Sequence, residues 1–160
     1  MLKYVIIKWY RRDNMKEEKI RIMSIISYYA NQIFKETKKY EFRKSPLKES
    51  DLNKKIYIYS AKGEKAIIGY LKVKKVLLGT TEEILKKTGY DKRNDKQEII
   101  DYFGKNNKKC YALELYEVTR LKEKIPLQEL RKIDPNIKMP QYLKYIYPNH
   151  PVYNRIKKSK

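Results

Sequence analysis

Residues 24–44 read SIISYYANQIFKETKKYEFRK, and inside this stretch the apolar spacing changes period. Tyr29, Ala30, Ile33 and Phe34 recur three and four apart, the spacing of one helix face. After Lys38 the pattern becomes strict alternation. Tyr40 and Phe42 turn one way, Glu41 and Arg43 the other, which is the period of a strand. The spacing therefore predicts a helix, with Ser27 as a candidate cap, that delivers the chain directly into a short strand. That strand carries a carboxylate and a guanidinium side by side on one face.

Outward from this junction the elements are short and mixed. KIRIMSII (19–26) reads as a strand leading in, and SPLKESDLN (45–53) as a loop leading out. KIYIYSA (55–61) is a strand with Ile56 and Ile58 on one face and Tyr57 and Tyr59 on the other. AKGEK turns it, with Gly63 expected to supply a positive backbone dihedral. AIIGYLKVKKVLL (66–78) is a long strand, and Gly69 inside it predicts a bulge. TTEEILKKTG carries a capping box from Thr80 to Glu83 and a glycine stop at Gly89. DKQEIIDYFGK reads as a second helix, ending at Gly104. KKCYALELYEVTRL (108–121) is another long alternating strand, and prolines fragment the remainder of the chain into turns and short helices.

Strand, helix, strand, hairpin, helical insertion, strand: the order is that of an α+β domain. It predicts a small, strongly bent, mostly antiparallel β-barrel with flanking short helices. The organisation expected is an N-terminal extension or edge strand over 1–18, a domain over 19–147, and a basic, disordered C-terminal tail over 148–160.

The chain has 160 residues, with 39 Lys and Arg against 19 Asp and Glu, a formal net charge of +20. Such an excess attracts polyanions over long range, nucleic acid foremost. One cysteine, Cys110, excludes an internal disulfide and reads as a buried core thiol. With one histidine, His150, no ordinary zinc site is expected within the chain, nor triad catalysis. No metal and no cofactor are expected. No segment approaches the roughly 20 apolar residues of a membrane helix, and no secretory signal is read. A cytoplasmic protein without membrane contact is expected.

The stretch SIISYYANQIFKETKKYEFRK resembles the opening of an ASCH domain, of the PUA-like superfamily. That family's signature is Gly-x-Lys-x-x-Glu-x-Arg. Lys38, Glu41 and Arg43 match it, and Glu36 stands where the family has glycine. KIYIYSA, IIGYLKVKKV, DYFGKNNKKCYALEL and MPQYLKYI agree in order over roughly residues 20–147. The resemblance implies a β-barrel with a cleft lined by the signature residues. It also implies RNA-binding or coactivator-like roles, with some members nucleases and some removing the acetyl group from acetylated cytidine.

Read alone, Glu41 and Arg43 fit an exposed ion pair that orders a strand, worth about 0–1 kcal/mol. Read with the resemblance, they are the wall of a recognition cleft. Lys38, a mobile charge at the helix exit, and Arg43 would hold phosphate, and Glu41 would accept from a base edge. Lys39, Lys74 and Lys75 would add phosphate contacts, as would KNNKK (105–109) and the terminal RIKKSK. Tyr57 and Tyr59 are candidates for a stacking platform. The leading expectation is a nucleic-acid-binding module, RNA before DNA, that recognises a single-stranded or modified nucleotide. The alternative is a small hydrolase using Lys38 and Glu41, either a ribonuclease or an acetylcytidine-type amidohydrolase. A protein-interaction domain meeting an acidic partner is a third reading.

Overall fold

The computed structural model describes residues 18–160. The segment expected as an N-terminal extension lies, apart from Glu18, outside the described residues. From Ile20 the elements run in chain order: β1 (Ile20–Ile26), α1 (Ser27–Phe34), β2 (Tyr40–Arg43), β3 (Ile56–Ala61) and β4 (Ala66–Gly79). Then come α2 (Thr81–Thr88), α3 (Lys96–Phe103), β5 (Cys110–Pro126), α4 (Leu127–Ile133), β6 (Leu143–Ile146) and α5 (Tyr153–Lys157).

The strands form one six-stranded sheet in the order β2-β5-β4-β3-β1-β6. β1 and β3 are parallel, and every other pair is antiparallel. The sheet curls into a half-barrel with α1 against it, as the mixed order of elements predicts. Gly69 sits at a register shift between β4 and β5. A Cβ there would lie 2.4 Å from the Thr119 carbonyl and 2.5 Å from the Phe34 ring. Glycine is therefore required by close approach as well as by the bend.

Both faces of the sheet are covered. Met23, Ile25, Ile58, Leu71 and Leu113 pack on one side with Ile33 of α1. Ile22, Tyr57, Tyr59 and Ile125 pack on the other with Leu130 of α4 and with Val152, Tyr153 and Ile156. The C-terminal segment is thus part of the core and not a loose tail. Val152 and Ile156 are fully buried, and the Tyr153 hydroxyl donates to the Glu18 carbonyl at 2.6 Å. Its apolar residues recur at helical spacing, a signal masked by the surrounding lysines. The same packing removes Tyr57 and Tyr59 from any stacking role, since they are 5% and 6% exposed. The expected alternation of faces holds there, but neither face meets solvent.

Two local expectations change. Ser27 is the first residue of α1 and makes no cap bond. Its hydroxyl instead donates to the Ala61 carbonyl and meets Ser60 Oγ at 2.7 Å. In the turn after β3, positive φ falls on Lys62 and Lys65, not on Gly63. Gly63 is needed for space, because a Cβ there would lie 2.4 Å from Ser27 Oγ. The capping box at Thr80 and Glu83 and the left-handed stop at Gly89 form as expected. Cys110 is fully buried beside Thr81.

The loop 45–53 holds a feature with no sequence signal. Asp51 is fully buried. It accepts from Arg21 Nε at 2.6 Å and from the Tyr145 hydroxyl, tying the loop to β1 and β6. A buried carboxylate so paired is costly to break.

Candidate functional site

The half-barrel is open between β2 and the β1–β6 edge, and the signature residues stand in that seam. α1 ends because Glu36 adopts φ +60°, the left-handed region. Its N–H bonds back to Ile33 O and that of Thr37 to Gln32 O. This is the turn for which the family's glycine suits, and here a glutamate bears it. The chain reverses and enters β2, with Tyr40–Arg43 paired to Tyr111–Glu114 of β5.

Phe42 points into an aromatic cluster, edge-on to Tyr90 and Phe103. Glu41 points to the seam and is 7% exposed. Lys38 Nζ lies 2.9 Å from its Oε2, and Arg43 Nη2 lies 3.1 Å from its Oε1. Lys38 also donates to the Tyr40 carbonyl. It is 5% exposed, so it is a fixed, buried charge and not the mobile one expected. Two cations around one carboxylate leave the cluster with a net positive charge in a poorly solvated place.

Arg43 also closes the seam. Nη2 donates to the Ser24 carbonyl of β1 at 2.6 Å, and Nη1 to the Gln141 carbonyl at 3.4 Å. Its guanidinium stacks over the Tyr142 ring, 4.8 Å from the centroid. Side-chain bonds thus do here what a backbone ladder does between the other strands. Arg43 Nε and Ser24 Oγ remain buried without partners among the described residues.

Beside this cluster opens a cleft of about 430 Å³. Ser24 and Ile26 of β1, Tyr29 of α1, and Lys38, Glu41 and Arg43 line one part of it; Glu98, Ile99 and Tyr102 of α3 line another. The helical insertion is therefore a wall of the site. It is held to α1 by the Tyr29 hydroxyl, which donates to Glu98 Oε2 at 3.1 Å, and to the turn after α1 by Arg93, which donates to the Thr37 carbonyl. Burial, then the bond to Glu98, pushes the Tyr29 hydroxyl up to about 12. Burial likewise pushes Tyr142 up to about 12 and raises Tyr102. All three phenols are neutral at physiological pH; Tyr29 donates to Glu98, and the Tyr142 hydroxyl is buried without a partner among the described residues.

The remaining sequence candidates lie elsewhere. Lys39 is exposed and outside the lining, and Lys74 and Lys75 are exposed on β4, the latter 3.7 Å from Glu114. Ser24, Tyr29, Lys62, Glu98 and Tyr102 join the site without having been expected there. Nothing in one sequence signals that residues of the helical insertion, far downstream of the signature, face it. Among the described residues no group of three His, Cys, Asp or Glu side chains comes together, and no helix is long and apolar enough to cross a membrane.

Residues 21–134 match the family described as Domain of unknown function (DUF365). The chain belongs to that family. Its fold is that of an ASCH domain. The crystal structure of ASCH from Zymomonas mobilis is similar with a TM-score of 0.74 at 24% identity, over 89% of this chain and 96% of that one. A single-substitution variant of the same Zymomonas mobilis protein gives 0.73 at 23% identity, over 91% of this DUF365 chain and 100% of its own. No curated protein matches the sequence.

Proposed function

We propose that the protein binds RNA and takes one single-stranded or modified nucleotide into the seam cleft. The observation that carries this is a buried, positively charged Lys38–Glu41–Arg43 cluster opening into an aromatic-lined cleft of about 430 Å³. That volume lies within the ordinary range of small-ligand pockets. Tyr29, Phe42 and Tyr102 offer faces and edges for a base. The unpartnered Arg43 N–H and Ser24 hydroxyl offer hydrogen bonds to its polar edge. Glu41 serves mainly to hold the two cations, because both its oxygens are already engaged. The net charge of +20 supplies long-range attraction to the phosphates on either side. An unpaired nucleotide is implied, since a base inside a duplex cannot enter a cleft of this kind.

The test is binding of short fluorescent RNA and DNA oligomers to wild type and to Tyr102→Ala across a salt series. Tyr102 is 41% exposed, so its truncation leaves the core intact. If about five phosphates are met, log affinity falls with log salt at a slope of about −3.5 for single strands. Loss of the ring weakens binding by about 1–3 kcal/mol at every salt concentration. Equal affinities and equal slopes for the two proteins would remove the nucleotide from the cleft.

A second reading, hydrolysis of RNA or of a modified nucleoside, draws on one observation: the unpartnered Ser24 hydroxyl shares the cleft with buried Lys38. The geometry favours it less. The Lys38 ammonium is committed to Glu41 and to the Tyr40 carbonyl, which makes it a positioned charge and not a free base. Cleavage of RNA or release of acetate from acetylated cytidine, lost in Lys38→Ala, would put this reading first.

A further inference from the structure

Resting on the cleft reading above, we propose that Lys62 is the anion contact of the site, meeting the phosphate of the nucleotide whose base occupies the cleft. The two cations that the signature supplies are already spent on the protein. Arg43 is bonded through Nη1 and Nη2 to Gln141 O, Ser24 O and Glu41, and Lys38 to Glu41 and Tyr40 O. Arg43 cannot turn outward to hold a phosphate without opening the seam, nor Lys38 without abandoning Glu41 and the Tyr40 carbonyl. Lys62 lines the same cleft and is exposed. Its ammonium makes no ion pair or hydrogen bond among the described residues. The other exposed-side charge facing the cleft, Glu98, is a carboxylate held by Tyr29, and it repels phosphate.

The backbone beneath Lys62 points the same way. Lys62 is held at φ +52°, a conformation costly to a residue with a Cβ. Such strain persists only where the surroundings over-determine it, and it gathers at ligand clamps. Here the surroundings are explicit. Ser27 Oγ meets Ser60 Oγ at 2.7 Å, donates to Ala61 O at 3.0 Å and accepts from Glu64 N at 3.3 Å. Gly63 packs against that hydroxyl with no room for a side chain. Lys65 N bonds to Ser60 O, and Leu127 N to Lys65 O. The start of α1 thus clamps the turn beside the cleft wall formed by Ile26. Lysine occupies a position where glycine would be less strained, at the rim of a cleft whose other cations are tied to the protein through Arg43 Nη1 and Nη2 and Lys38 Nζ. A lysine ammonium is a point charge without a fixed fork, so the contact suits a terminal or a bridging phosphate alike.

The experiment is calorimetric or NMR titration with the four ribonucleosides and their 5′ and 3′ monophosphates. The proteins are wild type, Lys62→Gln and Lys65→Gln. Lys65 is exposed on the same strained turn but does not line the cleft. The expected result is a monophosphate that binds wild type tighter than its nucleoside by roughly threefold to tenfold, as one charge-assisted bond provides. That advantage vanishes in Lys62→Gln, persists in Lys65→Gln, and nucleoside affinity is the same in all three. With single-stranded oligomers the Lys62→Gln salt slope falls by about 0.7, one phosphate's share. Lys62→Gly keeps the turn, relieves the strain of its positive φ and raises Tm while losing the same advantage.

An advantage that survives in Lys62→Gln, with nucleoside binding intact, overturns the role of Lys62 and leaves the cleft reading standing. If neither nucleosides nor monophosphates bind wild type, the cleft reading fails and the role of Lys62 fails with it.

Discussion

Glu41→Gln is the substitution that most directly probes why the cleft holds its shape. The glutamine has nearly the volume of the glutamate and removes only the charge. In the wild type that charge lies 2.9 Å from Lys38 Nζ and 3.1 Å from Arg43 Nη2, with the Lys38 side chain 4% and the Arg43 side chain 13% exposed. Without it, two poorly solvated cations face each other across a neutral amide, whose NH2 must point at one of them. Breaking a buried ion pair by neutralising one partner costs about 3–5 kcal/mol. That is a large part of the roughly 5–15 kcal/mol by which a domain is stable. For a chain of this length the cost corresponds to a fall in Tm of roughly 6–20 °C. Urea unfolding followed by circular dichroism reads it as a lower midpoint with an unchanged slope. The double variant Lys38→Met, Glu41→Gln removes one of the stranded cations, and Arg43 retains its bonds to Ser24 O and Gln141 O. It is therefore expected to be more stable than Glu41→Gln alone, with a coupling of about 1–3 kcal/mol. A single variant within about 0.5 kcal/mol of wild type, or strictly additive effects, would mean that the cluster is open to water and its charges independent.

The geometry sets three further outcomes. Glu36 sits at φ +60° where glycine is unstrained, so Glu36→Gly should stabilise the fold by about 1 kcal/mol, seen as a raised urea midpoint. Gly69→Ala places a Cβ 2.4 Å from the Thr119 carbonyl, which is backbone and cannot yield; a loss of about 1–3 kcal/mol is expected, read by thermal denaturation. Desolvation is the leading cause that lifts Tyr29, Tyr90, Tyr142 and Tyr145 from 10.0 to about 12. Folding holds these phenols neutral, so their contribution is complete below pH 10.0 and is lost as pH rises from there through about 12. Tyrosinate absorbance should show a late-titrating group of phenols that joins the early one once the protein is unfolded.

Local pattern determined much of this protein. The change from helical to alternating spacing at Lys38, the capping box at Thr80 and Glu83, the glycine stop at Gly89 and the bend at Gly69 are near-neighbour matters. They depend on backbone geometry and side-chain direction within one element, and the sequence carries them directly. The signature residues Lys38, Glu41 and Arg43 were legible for the same reason. Two residues apart on a strand, Glu41 and Arg43 share a face wherever the strand goes.

What each face met was decided only by the tertiary structure. Tyr57 and Tyr59 alternate as expected, yet α4 and the C-terminal segment cover them, because Val152, Tyr153 and Ile156 complete a core that no local rule foresees. Arg43 proves to be the closure of an open barrel seam, reaching Ser24 and Gln141. Asp51 belongs to a stretch with the composition of a loop and is a fully buried hub for Arg21 and Tyr145. The far wall of the cleft, Glu98, Ile99 and Tyr102, arrives from an insertion folded back across the seam. Hydrogen bonds and burial between residues far apart in the chain leave no periodic trace. The elements are written in neighbouring residues, and the cleft exists only where those elements meet.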